Sequence, residues 1–207
     1  MPDDRFERAL GYPSHAIAGV DEVGRGPLAG PVIAAAVILP AAGLSKGIAS
    51  QVNDSKKLPA KVRETLAQSI SEACPTAIGM ASEAEIDEIN ILQASLLAMR
   101  RAIKALPNLP DAVLIDGNRC PPDLPCHAQT VVKGDTKCLS IAAASIIAKV
   151  HRDKIMVDLA ARWPGYGWES NAGYPTAQHR AALVELGVTP HHRRSFAPVS
   201  QQLGVTT

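Results

Sequence analysis

Aromatic residues are scarce in this 207-residue chain: three Tyr, two Trp and two Phe, 3% of the total. Gripping single-stranded nucleic acid takes several rings to stack on bases, so a stacking platform is disfavoured. A surface that contacts backbone and sugar does not need them. Net charge is equally scarce, because 21 Lys and Arg face 20 Asp and Glu, leaving +1. Any phosphate-binding surface must therefore come from local clustering. The usual phosphate cradles of nucleotide-binding α/β proteins are missing too: no GxGxxG opens a helix, and no GxxxxGK[ST] occurs.

Cysteine is sparse and unpatterned. Cys74, Cys120, Cys126 and Cys138 form no CxxC, and Cys120, Cys126 and His127 do not match a standard zinc spacing. They read as free thiols of a reducing compartment, and a cytoplasmic location is expected. The start, Met1-Pro2-Asp3-Asp4-Arg5, has no apolar run of the kind a secretory leader carries. Gly26 to Ser45 carries no charge, but Pro27, Pro31 and Pro40 argue against a membrane helix and for a buried strand after a turn. What is present is ordinary globular composition, 46% apolar and 20% charged. The length fits one catalytic domain over residues 1–198, with a short tail at 199–207.

Ala16 to Val20 is a short apolar run ending at Asp21-Glu22, and Val32 to Leu39 is a continuous one closed by Pro40. Both read as buried strands. Val62, Leu66, Ile70 and Cys74 recur four apart, a helical stripe over Ala60 to Cys74. Thr76 to Ala81, Ala112 to Ile115 and Gln129 to Val132 read as strands. Ile91 to Leu106, Leu139 to Arg162 and Thr176 to Leu186 read as helices, the second with small residues Ala142 to Ser145 suited to close packing on a sheet. This alternation predicts an α/β fold with a mixed sheet flanked by helices.

Three of these strands end in acid: Asp21-Glu22, Asp116 and Asp135. Carboxylates at the ends of neighbouring strands can converge. Mg²⁺ and Mn²⁺ are hard cations that take oxygen ligands. Two such ions can activate water and stabilise the leaving oxygen in phosphodiester hydrolysis. Singly, each acid also reads as a solvated turn residue, with Asp135 a candidate helix cap and Asp116-Gly117 a turn pair. Asp21 and Glu22 are adjacent, so a regular strand would point them to opposite faces; both serve one site only where the strand ends or bends. Asp153 stands roughly 20 Å along the long helix at 1.5 Å per residue, too far to join Asp135, and pairs more naturally with Lys149.

Gly24-Arg25-Gly26 follows the first acids, a turn that allows close approach of a ligand to backbone. Ser55 and Lys56, in a loop before Pro59, could hold a phosphate or be solvated. His191-His192-Arg193-Arg194-Ser195 is a basic cluster that reads as phosphate contact or plain surface.

Taken together, these runs resemble the ribonuclease HII family. Gly19-Val20-Asp21-Glu22-Val23-Gly24-Arg25-Gly26-Pro27-Leu28-Ala29-Gly30-Pro31 is similar to its opening signature, although Val23 stands where Ala is more usual. Asn53-Asp54-Ser55-Lys56-Lys57-Leu58, Ile115-Asp116-Gly117-Asn118 and Lys133-Gly134-Asp135 with Ala142 to Asp153 resemble its next blocks. Gly173-Tyr174-Pro175-Thr176 and His192-Arg193-Arg194-Ser195-Phe196 resemble the last two. The resemblance implies a ribonuclease H-like fold and Mg²⁺- or Mn²⁺-dependent endonucleolytic cleavage of RNA in RNA–DNA hybrids. It also implies incision beside a single ribonucleotide in duplex DNA. It places the family's four acids on Asp21, Glu22, Asp116 and Asp135. The reader of the 2′-hydroxyl falls on Gly24, Arg25 and Gly26, Tyr174 packs on the neighbouring sugar, and Ser55 and Lys56 contact phosphate. No protein partner is expected and a monomer is: Gln201-Gln202-Leu203 lacks the following aromatic pair of a sliding-clamp peptide.

Three other readings compete. A nuclease of the same fold acting on damaged DNA does not need Gly-Arg-Gly with Tyr174. A binding protein that has lost catalysis does not need all four acids. A nucleotide-binding protein needs the Gly-rich cradle that is missing.

Overall fold

The computed structural model describes residues 1–53, 55 and 58–204. Its sheet runs in the order β3-β2-β1-β4-β5. The strands are β1 (Ile17–Val23), β2 (Val32–Ile38), β3 (Thr76–Ala81), β4 (Ala112–Asp116) and β5 (His127–Val131). β1, β2 and β3 pair antiparallel, while β4 and β5 lie parallel beside β1, so the sheet is mixed as expected.

Side-chain alternation divides the core into two layers. Ile17, Ile33, Val37 and Leu114 point to one face, where α3 (Ala60–Ala73) and α5 (Leu139–Arg162) pack. Val20, Ala34, Ala36 and Ile115 point to the other, covered by α4 (Glu83–Lys104). Gly19 sets the closeness of α5: a Cβ there would lie 2.2 Å from the backbone of Ser140 and Ile141. The small run Ala142 to Ser145, all buried, continues that contact. Among the described residues no helix is long and apolar enough to cross a membrane.

The start of α5 is held by the N-terminal segment. A short helix, α1 (Arg5–Ala9), buries Glu7, whose Oε1 accepts from the Ser140 N–H at 2.8 Å and the Ser140 hydroxyl at 2.6 Å. The helix cap comes from Glu7 rather than from Asp135, because Cys138 at the cap position supplies no side-chain acceptor. Two short helices, α2 (Lys46–Ala49) and α6 (Trp168–Asn171), interrupt the loops. α7 (Ala177–Leu186) and α8 (Ala197–Gln202) complete the chain's described helices, with Val199 fully buried beside Leu28 and Leu183.

Three expectations shift. β1 does not end at Asp21-Glu22; its antiparallel ladder to β2 carries it on to Val23. α4 begins at Glu83, not Ile91, because a capping box between Ser82 and Glu85 starts an earlier turn, and Asn90 at φ 66° joins the two pieces across a kink. On α3 the buried stripe is Arg63, Leu66, Ala67 and Ile70, with Val62 39% exposed. Arg63 turns inward because its guanidinium donates to the carbonyls of Ser55 at 2.8 Å and Leu58 at 3.1 Å, and to Asp153 at 3.2 Å.

Candidate active site

The sheet brings the acids together. The last β1–β4 pair is Val20 with Ile115, so Asp21 and Asp116 come one step further along adjacent parallel strands, on the α5 face. Glu22 belongs by alternation to the opposite face. It nevertheless joins them: one carboxylate oxygen from each of Asp21, Glu22 and Asp116 lies within 4.8 Å of the others. Glu22 stands one residue before the end of β1, beyond the last pair of its ladder with β4. Asp135 lines the same cleft from the 3₁₀ turn Gly134–Thr136, outside the compact trio. That turn is tied to the trio, since the Gly134 N–H donates to Asp116 Oδ1 at 2.6 Å.

Burial and mutual repulsion raise the proton affinity of Asp21 and Glu22. Burial, then repulsion from Glu22, Asp116 and Asp135, holds the Asp21 carboxyl well above the usual carboxylate range. Burial pushes Glu22 up to about 7 against the pull of Arg25, whose Nη1 stands 3.4 Å from Glu22 Oε1. Glu22 Oε2 is buried and has no hydrogen-bond partner among the described residues. Converging acids with an orphaned oxygen fit a divalent ion.

Gly24, Arg25, Gly26, Ser55, Ser145 and Tyr174 complete the cleft, about 170 Å³ in volume. A larger groove between α3 and α5 carries Arg63, Lys149 and Lys154 with Glu64, Asp153, Asp158 and Glu169, but its acids form no ligand cluster among the described residues. Asp153 is occupied there by Lys149 and Arg63, as a helix-face pair rather than a ligand. Ser55 is buried at the cleft; Lys56 lies outside the described residues. Gly24 needs to be glycine, with φ 97° and the position of a Cβ only 2.3 Å from Arg152 Nε. A Cβ on Gly26 would stand 3.3 Å from the Tyr174 ring, so two residues distant in sequence meet here.

The basic cluster at 191–195 is neither phosphate contact nor plain surface at its centre. Arg193 is fully buried and donates to the carbonyls of Gly24 at 2.5 Å, Arg25 at 3.1 Å and Gly30 at 2.9 Å. Arg152, also fully buried, donates to Ala29 at 3.0 Å, Pro31 at 3.0 Å and Ala172 at 2.9 Å. Neither forms an ion pair with a carboxylate among the described residues. Burial pulls their pKa down, to about 9 for Arg193 and about 10 for Arg152.

His192 accepts from the Thr189 N–H at Nδ1, so its Nε2 donates to His179 Nε2, 3.1 Å away. The Trp168 indole N–H donates to that same nitrogen at 3.0 Å. His179 must then carry its proton on Nδ1, which donates to the Tyr174 carbonyl at 3.0 Å. Burial keeps both rings neutral, with His192 pushed down to about 4. Sequence reading missed Arg152, Arg193, His179 and His192 as buried groups bonded around the cleft, and missed Ser145 as a lining one.

Comparison with known proteins decides what this cleft belongs to. The family model described as Ribonuclease HII matches residues 18–199. The chain belongs to the ribonuclease HII family. Ribonuclease HII of Granulibacter bethesdensis is 59% identical over 207 residues, covering 99% of this chain and 93% of that protein. The crystal structure of ribonuclease H2 from Pyrococcus horikoshii matches at TM-score 0.75 and 25% identity, covering 90% and 96% of the two chains. The ribonuclease HII in the PCNA complex from Archaeoglobus fulgidus matches at TM-score 0.69 and 27% identity, over 90% and 96%. That relative has a protein partner. The fold is thus ribonuclease H-like, and the activity that comes with family membership is hydrolysis of RNA paired to DNA.

Proposed function

We propose that this ribonuclease HII also cuts on the 5′ side of a single ribonucleotide embedded in duplex DNA, leaving 3′-hydroxyl and 5′-phosphate ends. The observation that supports this reading most is the sharing of one cleft by the acids and the Gly-Arg-Gly turn, with Tyr174 against Gly26. The 2′-hydroxyl is the one group that separates RNA from DNA at a given nucleotide. A turn that exposes backbone beside the acids can inspect that group where the bond breaks.

Asp21, Glu22, Asp116 and Asp135 would hold Mg²⁺ or Mn²⁺. Ions bound there supply Lewis-acid activation of water and neutralise charge on the leaving oxygen, by a two-metal mechanism. The chain's own part is to keep four carboxylates in a small, largely buried volume, where their mutual repulsion favours a cation. Arg25, half-exposed beside Glu22, would contact a phosphate oxygen, and so would Ser55 and, by the family resemblance alone, Lys56. Tyr174, 40% exposed, would pack its ring on the adjacent deoxyribose.

The test offers a duplex with one ribonucleotide, an RNA–DNA hybrid and an all-DNA duplex, each with Mg²⁺, Mn²⁺ or chelator. Cutting of the first two alone, with either ion and not with chelator, is expected. Equal cutting of the all-DNA control, or no cutting of the single-ribonucleotide duplex with either ion, would sink the reading.

A further inference from the structure

We infer that Arg193 is a specificity-determining positioning residue: it turns the Gly24–Gly26 backbone into a pair of aimed N–H donors for an oxygen of the ribose or its phosphate. The inference rests on the sugar-reading role proposed for that turn.

In a trans peptide the C=O and N–H point in opposite directions. The carbonyl of Gly24 shares its peptide with the Arg25 N–H, and the carbonyl of Arg25 with the Gly26 N–H. Both carbonyls are drawn toward the fully buried Arg193 guanidinium, at 2.5 and 3.1 Å. Their N–H groups therefore face the other way, toward the cleft that Gly24, Arg25 and Gly26 line. Neither N–H donates to any group among the described residues. Two adjacent donors left open beside a cation-binding acid cluster suit an oxygen acceptor.

The charge adds to the geometry. A positive group on a carbonyl oxygen polarises the amide and strengthens the N–H on its far side as a donor. Arg193 also stacks on Phe196, its Cζ 5.1 Å from the ring centroid, which fixes the plane of its fork. A buried cation with no carboxylate partner is costly to a fold.

Arg152 provides the internal control. It is equally buried and fastens the same loop, but through Ala29, Pro31 and Ala172, not through the carbonyls of the reading peptides. Arg193→Lys and Arg152→Lys each keep a charge and lose the fork, which a single ammonium does not replace.

The experiment measures Kd by fluorescence anisotropy, in Ca²⁺, for a duplex with one ribonucleotide and for the matching all-DNA duplex. Thermal melts of each variant run alongside. Wild type is expected to prefer the ribonucleotide duplex, and Arg193→Lys to lose about tenfold of that preference. Arg152→Lys is expected to melt lower yet keep the preference. Full preference in Arg193→Lys, or an equal loss in Arg152→Lys, overturns the inference while leaving the sugar reading intact. No preference in wild type overturns the sugar reading, and the inference with it. Should either variant fail to fold, the same duplex pair is run on Phe196→Leu, which releases the fork's stacking and is expected to lose part of the preference; an unchanged preference there overturns the inference.

Discussion

The acid trio and the Gly-Arg-Gly turn line one cleft but are held in opposite ways. Asp21, Glu22 and Asp116 hang from adjacent strands whose ladders and two apolar layers fix the backbone beneath them. The turn has no ladder across it. Its carbonyls are held by the Arg193 guanidinium, while Arg152 fastens the segment that follows, in both cases through carbonyls rather than carboxylates. Each arrangement concentrates one sign of charge out of water, negative in the trio and positive behind the turn. On the proposed reading a bound cation would relieve the trio's cost, whereas the arginines are satisfied within the protein. Chemistry would then be placed by the sheet and completed from outside, and substrate choice by remote side chains before substrate arrives.

The widest separation between the two halves is expected from Asp116→Asn. It removes one charge from the trio and keeps an oxygen for the Gly134 N–H, so the fold should survive. Cleavage of both RNA-containing substrates should fall about 10³-fold, or ~4 kcal/mol of barrier, with little change in melting temperature. Preference for ribonucleotide in binding should persist, since the turn is untouched. Retained turnover would remove Asp116 from the metal site. Asp135→Asn, outside the trio, is expected to cost less.

A second separation appears in pH dependence without divalent ions. Burial raises Glu22 from 4.5 to about 7 and Asp21 well above its ordinary value. A carboxyl raised in the folded state favours folding in its neutral form. Its contribution is fully present below about pH 4.5 and lost as pH climbs through about 7. Chemical denaturation in chelator should show stability falling across that window. Mg²⁺ should restore it at pH 8 by binding the folded form. Arg193, at about 9, keeps its charge through the window, so Arg193→Lys should leave the slope unchanged. A flat profile for the wild type would mean the trio is better solvated than its geometry indicates.

The same contrast governs what could be read from sequence. The acids were legible because each follows an apolar strand run, and strand ends in one sheet converge. Their exact relation was less so: no local pattern encodes that Glu22, next to Asp21 on one strand, joins it and Asp116 in one cluster. The braces were illegible for a physical reason. Charged residues read as exposed, and nothing near Arg152 or Arg193 announces carbonyls waiting elsewhere in the chain. The apolar stripe through Val62 passes over Arg63, which turns in for the carbonyls of Ser55 and Leu58. α4 was half visible, because Ser82 and Glu85 carry a capping signal that its sparse apolar residues before Asn90 do not reinforce.

The smallest expected effect tests how the turn reaches its second contact. Tyr174 meets Gly26 through its ring, while its backbone is held by His179. Tyr174→Ala should therefore weaken sugar packing without moving either the acids or the turn. A lost ring contact of ~1 kcal/mol predicts about a fivefold rise in KM for the single-ribonucleotide duplex, with kcat unchanged. Tyr174→Phe keeps the ring and should stay within about twofold of wild type. If both variants lower kcat instead, Tyr174 acts on the acid trio, and the division of the cleft into a chemical half and a reading half fails at this residue.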